Sequence, residues 1–285
     1  MEEKPQKNNK IWKLLLVLCL VGAAAALAAF GWNFHVRNQA ERRFEELSRQ
    51  TASGEEPEAE SKQEEDAKEP EAELSREEKL RLLEQELGIE IPQKDIDFAA
   101  LKEEANPDIY AWIYIPDTKI DYPVLQHAED NTYYLNYNLD GTRGYPGCIY
   151  TENYNSKAFD DHNTVLYGHN MKDGSMFAGL HNYEDSQYFE EHPYLFIYTE
   201  EDTLVYRVFA AYEFSDVHLL KGYDTETEEG FSRYLKEAME YRTMNRNVSE
   251  AVSVTGESRI LTLSTCIASK PENRYLVQGV LLNED

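Results

Sequence analysis

Two scarcities bound this chain before any motif is read. Positive charge is short: 28 Lys and Arg stand against 54 Asp and Glu, for a formal net charge of -26. Such a chain repels phosphate backbones and lacks the basic footprint of nucleic-acid binding, so nucleic acid is excluded as an expected partner. Cysteine is short as well, with only Cys19, Cys148 and Cys266. Cys19 lies inside an apolar run, and the two that remain are too few for a disulfide scaffold. A single Cys148 to Cys266 bridge is compatible with the sequence. Cys148 nevertheless stands in Gly147-Cys148-Ile149-Tyr150, a strand-like run where a small buried residue fits, and a core role is the better reading. No Cys/His cluster has metal-ligand spacing and no glycine-rich phosphate loop occurs, so no metal and no nucleotide or other cofactor is expected. Internal repeats are absent too.

What is present is enough for one catalytic-sized domain with accessory segments: 285 residues, 41% of them apolar. The composition divides the chain into a short N-terminus (1–13), an apolar run (14–32), an acidic segment (33–75) and a domain (76–285). The apolar run, LLLVLCLVGAAAALAAFGW, carries no charge. As a helix it spans about 28 Å, close to the hydrocarbon thickness of a bilayer, and reads as a single transmembrane anchor. Lys4, Lys7, Lys10 and Lys13 precede it, which keeps the N-terminus cytoplasmic and exports the rest, although Arg37, Arg42 and Arg43 weaken the contrast. A cleaved signal peptide is the alternative, since Ala23 to Ala29 offers small residues for a peptidase, but the length of the run favours the uncleaved anchor. From about Glu45 to Glu73 the composition turns to Glu, Lys, Ser, Ala and Pro, which cannot bury enough apolar surface to offset ordering entropy. The acidic segment is therefore expected to be a flexible stalk.

Ser75 followed by Glu77 and Glu78 predicts a helix start, with Leu80, Leu83 and Leu87 at helical spacing and Gly88 as the stop. A second short helix is expected over 96–104. After Pro107 come eight short runs rich in Ile, Val, Tyr, Leu and Thr, from IYAWIYI to RYLVQGVLL, separated by Gly, Pro, Asn and Asp. They predict a mainly β domain, a barrel or a sandwich. One helix interrupts them over about 225–243, with Phe231, Tyr234, Leu235 and Ala238 as its apolar stripe.

Chemistry concentrates in three residues. In SRILTLSTC, strand alternation sets Ile260, Thr262, Ser264 and Cys266 on one face and Leu261, Leu263 and Thr265 on the other, with Cys266 ending the strand. The following IASKPEN reads as a loop that returns Arg274 beside Cys266. A guanidinium there can lower a thiol pKa and hold a carbonyl oxygen as charge builds on it. His169, in LYGHNMKDGSMF, follows an apolar strand and can protonate a leaving amine and later deprotonate an incoming one. Tyr167 and Asn170 flank it and are assigned structural roles.

TLSTC (262–266) with Arg274 in RYLVQGVL resembles the active-site strand pair of the sortase family. Ser264 within it and the YGHNMKDGSMF block resemble class B in particular, and NPDIYAWIYIPDTKIDYPVLQ (106–126) with DNTYYLNYN is similar to the opening of class B domains. The resemblance covers roughly residues 95–285. It implies an eight-stranded sortase-type barrel with N-terminal helices and one long helix before the catalytic strand, held outside a Gram-positive-type cell by a type II anchor. It implies Cys266 as nucleophile, His169 as acid and base, Arg274 as oxyanion or peptide clamp, and Ser264 and Thr265 on the substrate-binding side. The implied partners are surface proteins with a C-terminal sorting signal and an amine acceptor, a peptidoglycan precursor or a pilin lysine. Two other classes compete: a non-catalytic surface-binding module that kept the barrel, and a cysteine hydrolase or L,D-transpeptidase-like enzyme. The intact Cys, His and Arg speak against the first. The lack of Ser, His and Gly before the cysteine speaks against the second.

Overall fold

The computed structural model describes residues 9–51, 75–241, 243 and 245–283. A long helix, α1 (Asn9–Thr51), comes first, followed by α2 (Arg76–Leu87) and α3 (Phe98–Glu104). The sequence signals for α2 operate as expected. The Ser75 hydroxyl accepts from the Glu78 N–H, the Glu78 carboxylate accepts from the Ser75 N–H, and Gly88 closes the helix at φ 65°, a left-handed turn that favours glycine. Asp97 caps α3 by accepting from the Ala100 N–H, so this helix begins two residues later than predicted.

The strands are β1 (Ile109–Tyr114), β2 (Asp121–Leu125), β3 (Ile149–Thr151), β4 (Asn163–Tyr167), β5 (Tyr194–Tyr198), β6 (Thr203–Ser215), β7 (Asn247–Val248), β8 (Ile260–Ile267) and β9 (Lys270–Leu281). Their order is β5-β1-β2-β3-β4-β8-β9-β6, and β6 pairs back onto β5, which closes an eight-stranded barrel. The eight predicted runs are its staves. β7, two residues added to the edge of β6, is the one strand without a signal in the sequence. Pairing is parallel for β2–β3 and β4–β8 and antiparallel elsewhere. Short helices α4 (Tyr133–Asn136), α5 (Ser186–Glu191) and α6 (Leu219–Gly222) and a 3-10 segment (Phe177–Glu184) fill the connections.

Strand alternation sorts the side chains into two cores. Leu261, Leu263 and Val277 join Trp112, Ile113 and Ile197 in the larger one. Ile260, Leu276 and Val165 form the smaller one with α7 (Glu228–Glu240), which buries Phe231, Tyr234, Leu235 and Ala238. That helix begins where the Thr227 hydroxyl accepts from the Gly230 N–H, inside the predicted span.

The stalk expected over 33–75 needs correction at its first part. Helix α1 runs on to Thr51, and its last turns lie on the domain, with Ala40, Phe44 and Leu47 buried, the Phe44 ring edge-on to Tyr122 at 5.4 Å, and the Ser48 hydroxyl donating to Asp121. Two such buried apolar side chains are each worth about 1.5–3 kcal/mol, more than the charged sequence between them suggests. Residues 52–74 of that segment lie outside the described residues. Ahead of the contact, α1 is exposed and carries a window of mean hydropathy 2.3, long and apolar enough to cross a membrane.

Under α7 a buried polar network ties β8 and β9 together. Gln278 is fully buried; its amide donates to the Tyr234 hydroxyl at 2.7 Å and to Thr262 Oγ1 at 2.9 Å, and its carbonyl accepts from the Tyr212 hydroxyl. Thr262 donates on to Asn163. Gln278→Leu removes the acceptor of the Tyr212 hydroxyl and the amide that serves Tyr234 and Thr262, and the expected loss is about 2 kcal/mol. Denaturant unfolding reads it as a lower midpoint at unchanged slope, and a loss below about 0.5 kcal/mol would show that the network is dispensable.

Candidate active site

The parallel pairing of β4 with β8 carries two of the three predicted residues to the same end of the sheet. Tyr167 stands opposite Ser264 in that ladder, and His169 and Cys266 each follow two residues after this last pair. The join continues past the strands: the Gly168 N–H donates to the Ser264 carbonyl at 3.2 Å, and the Thr265 hydroxyl donates to the Gly168 carbonyl at 2.9 Å. Position 168 has no room for a side chain, because a Cβ there would fall 2.5 Å from Ile149 Cδ1 and 2.7 Å from the Phe177 ring. His169 is then held at both ends. Its carbonyl accepts from the Phe177 N–H, and its Nε2 donates to the Leu135 carbonyl at 2.8 Å. That bond puts a ring hydrogen on Nε2. The Tyr145 ring meets the imidazole edge-on at 5.0 Å.

Arg274 arrives by the other neighbour of β8. It is the direct partner of Cys266 in the antiparallel β8–β9 ladder, which puts the two side chains on one side of the sheet. The expected loop IASKPEN is mostly strand: β8 continues to Ile267, β9 starts at Lys270, and Ala268 and Ser269 make the turn. The guanidinium uses Nη1 to donate to the Pro271 and Asn273 carbonyls at 2.8 and 2.9 Å, which leaves Nη2 and Nε without a partner among the described residues. Beneath both lies Tyr150, whose hydroxyl is pushed well above its ordinary pKa, chiefly by burial and then by Glu152, with the Cys266 thiol raising it further and Arg274 opposing.

Cys266 itself is exposed, while Cys148 is 1% exposed; both are free. Cys148 sits among core residues, its thiol pushed up by burial, and donates weakly to the Tyr137 carbonyl. Ser264 and Thr265, expected on the substrate side, are both buried, at 5% and 2% exposure. For Thr265 this overturns the expectation, because its hydroxyl is committed to Gly168 and braces the His169 loop instead of a ligand. Ser264 lies one residue behind on the Cys266 face, under cover.

One group escaped the sequence reading. The Cys266 carbonyl accepts from Asn170 Nδ2 at 3.0 Å, and His181 Nε2 lies 3.1 Å from the same oxygen. His181 Nδ1 donates to Glu184 at 2.6 Å, so that Nε2 can accept from Asn170, 3.0 Å away. The His181 ring also stacks on Tyr275. Spacing showed the i,i+3 relation of His181 and Glu184, but nothing local points from there to residue 266. A cavity of about 950 Å³ beside α2 shares no lining residue with this site. A smaller one, about 360 Å³, flanks it between Asn170, His181 and the turn after Cys266. An exposed thiol opposite a guanidinium, with an imidazole two residues past the end of the neighbouring strand, is compatible with nucleophilic acyl transfer.

Comparison with known proteins follows the same lines. A sortase domain profile matches residues 113–282. Sortase B of Listeria monocytogenes is 37% identical over 185 residues, covering 64% of this chain and 73% of that protein. Sortase B of Staphylococcus aureus is 32% identical over 164 residues, 58% of this chain and 65% of that protein. The crystal structure of Clostridium perfringens sortase B aligns with a TM-score of 0.59 at 29% identity, covering 65% of this chain and 99% of that one.

The contrast between the two thiols is directly measurable. Iodoacetamide on the folded protein is expected to alkylate Cys266 and spare Cys148, with Cys148 reacting only after denaturation, as read by peptide mass spectrometry. Comparable labelling of both in the folded state would contradict the described burial.

Proposed function

The chain belongs to the sortase family of cysteine transpeptidases, in its class B branch, and on that premise we propose that Cys266 is the nucleophile of a sorting reaction served by His169 and Arg274. The Cys266 thiol passes its proton to His169 as its sulfur attacks the carbonyl carbon of the Thr in a C-terminal sorting signal. The carbonyl oxygen gathers negative charge, which the free Nη2 and Nε hydrogens of Arg274 stabilise where water is displaced. The C–N bond breaks, His169 supplies a proton to the departing amine, and a thioacyl-enzyme remains. An acceptor amine then attacks the thioester and gives its proton to His169, and the thiolate leaves. Two amines fit this step, that of a peptidoglycan precursor and the lysine of a pilin.

The observation that carries the reading is the exposure of Cys266 at a strand end with Arg274 across one ladder and His169 at the end of the other. A signal of Asn-Pro-x-Thr type accords with the class. The lysines of the first residues and the apolar run 14–32 support a type II membrane protein with its domain outside a Gram-positive-type cell.

Full-length protein in detergent, given a panel of sorting-signal peptides with and without an amine acceptor, tests the proposal by mass spectrometry. Cleavage after Thr, an adduct on Cys266 and amine-dependent product are expected, and Cys266→Ala is expected to abolish all three. His169→Ala should cost on the order of 10²-fold or more in rate, the usual contribution of a positioned acid and base. Peptide cleavage that survives in Cys266→Ala would remove Cys266 from the mechanism.

A further inference from the structure

A third cavity, about 660 Å³, opens between α1 and the loop that carries His169. Its α1 wall is Phe30, Phe34 and Arg37, and its domain wall includes Arg143, Tyr145 and Lys172 beside His169 itself. No carboxylate lines it, although the chain has 54 of them, and three cations do. Arg143 and Lys172 are exposed and form no ion pair among the described residues, whereas Arg37 lies 3.5 Å from Glu41. Burial, with Asp173 nearby, raises the pKa of Glu41, the nearest acid on α1.

The height of this cavity on α1 decides what can fill it. The apolar run ends at Trp32 and Arg37 follows five residues on, about 7.5 Å further along a helix. The headgroup layer beyond the hydrocarbon is about 5–8 Å deep on each side of a bilayer. Phe30, Trp32, Phe34 and Tyr145, all exposed, supply the aromatic belt expected at that depth. Apolar rings toward the hydrocarbon and cations one to two turns above suit a group with an acyl body and an anionic head. We propose that this cavity binds the phosphate of a membrane-lipid headgroup, with Arg37, Arg143 and Lys172 as its ligands, and that the bound lipid pins the His169 loop to the membrane plane. The proposal rests on the reading of α1 as an uncleaved anchor.

The test uses the full chain in nanodiscs that contain both phosphatidylcholine and phosphatidylglycerol, with native mass spectrometry of the lipids retained on the released protein. Wild type is expected to retain phosphatidylglycerol preferentially, and Arg143→Gln with Lys172→Gln to lower that preference about tenfold, the size of a lost charged hydrogen bond. Arg143→Lys is expected to preserve it. Both positions are exposed, so the fold is not at risk. Equal retention of the two lipids, an unchanged preference in the double variant, or equally tight binding of soluble glycerol phosphate by protein in detergent overturns the site. A protein that does not enter the discs overturns the anchor and the site together. Adduct formation on Cys266 in the same samples reports the catalytic assignment separately, so its failure is not confused with failure of the lipid site.

Discussion

The parallel ladder between β4 and β8 is the constraint on which the site depends. Parallel neighbours need a long crossover between them, and here the crossover contains β5, β6 and α7, so nearly the whole domain must fold before Tyr167 can meet Ser264. Once that register is set, His169 has one place to go. A slip by one residue would turn Leu261 and Leu263 out of the main core and Ile260 into it, which the two separate apolar clusters forbid. The packing of aliphatic side chains thus specifies a register that no short-range contact sets.

Much of the fold was legible in the chain because its signals are local. The eight strands announce themselves by β-branched and aromatic runs, α2 by its capping box and terminal glycine, and α7 by its apolar stripe. Closure of the barrel was not legible from residues alone, because it hinges on the β5–β6 pairing, a fact of tertiary geometry; it came from likeness to a family. The site divides in the same way. Cys266 at a strand end and Arg274 across a turn follow from alternation and hairpin logic. The grip of Asn170 on the Cys266 carbonyl joins residues 96 apart in sequence and had no local sign.

The two departures have physical causes. Residues 33–51 read as stalk because their charge is high, but Phe44 and Leu47 stand three apart on one helical face, and that is enough to seat the helix on β2. Thr265 was expected on the substrate side although it only neighbours Cys266 in the strand. In a strand the neighbour faces the other way, and its hydroxyl found the Gly168 carbonyl instead.

The isolation of the cysteines carries a chemical liability. A thiol oxidised to sulfenic acid is normally rescued when a second thiol in the same protein condenses with it. Cys148 is sealed in the core and Cys19 lies in the apolar run of α1, so Cys266 has no resolving partner within its own domain. Oxidant that reaches the exposed sulfur must be answered by an external small thiol or by another protein. Otherwise the ladder runs on to sulfinic acid, and the enzyme is lost one molecule at a time.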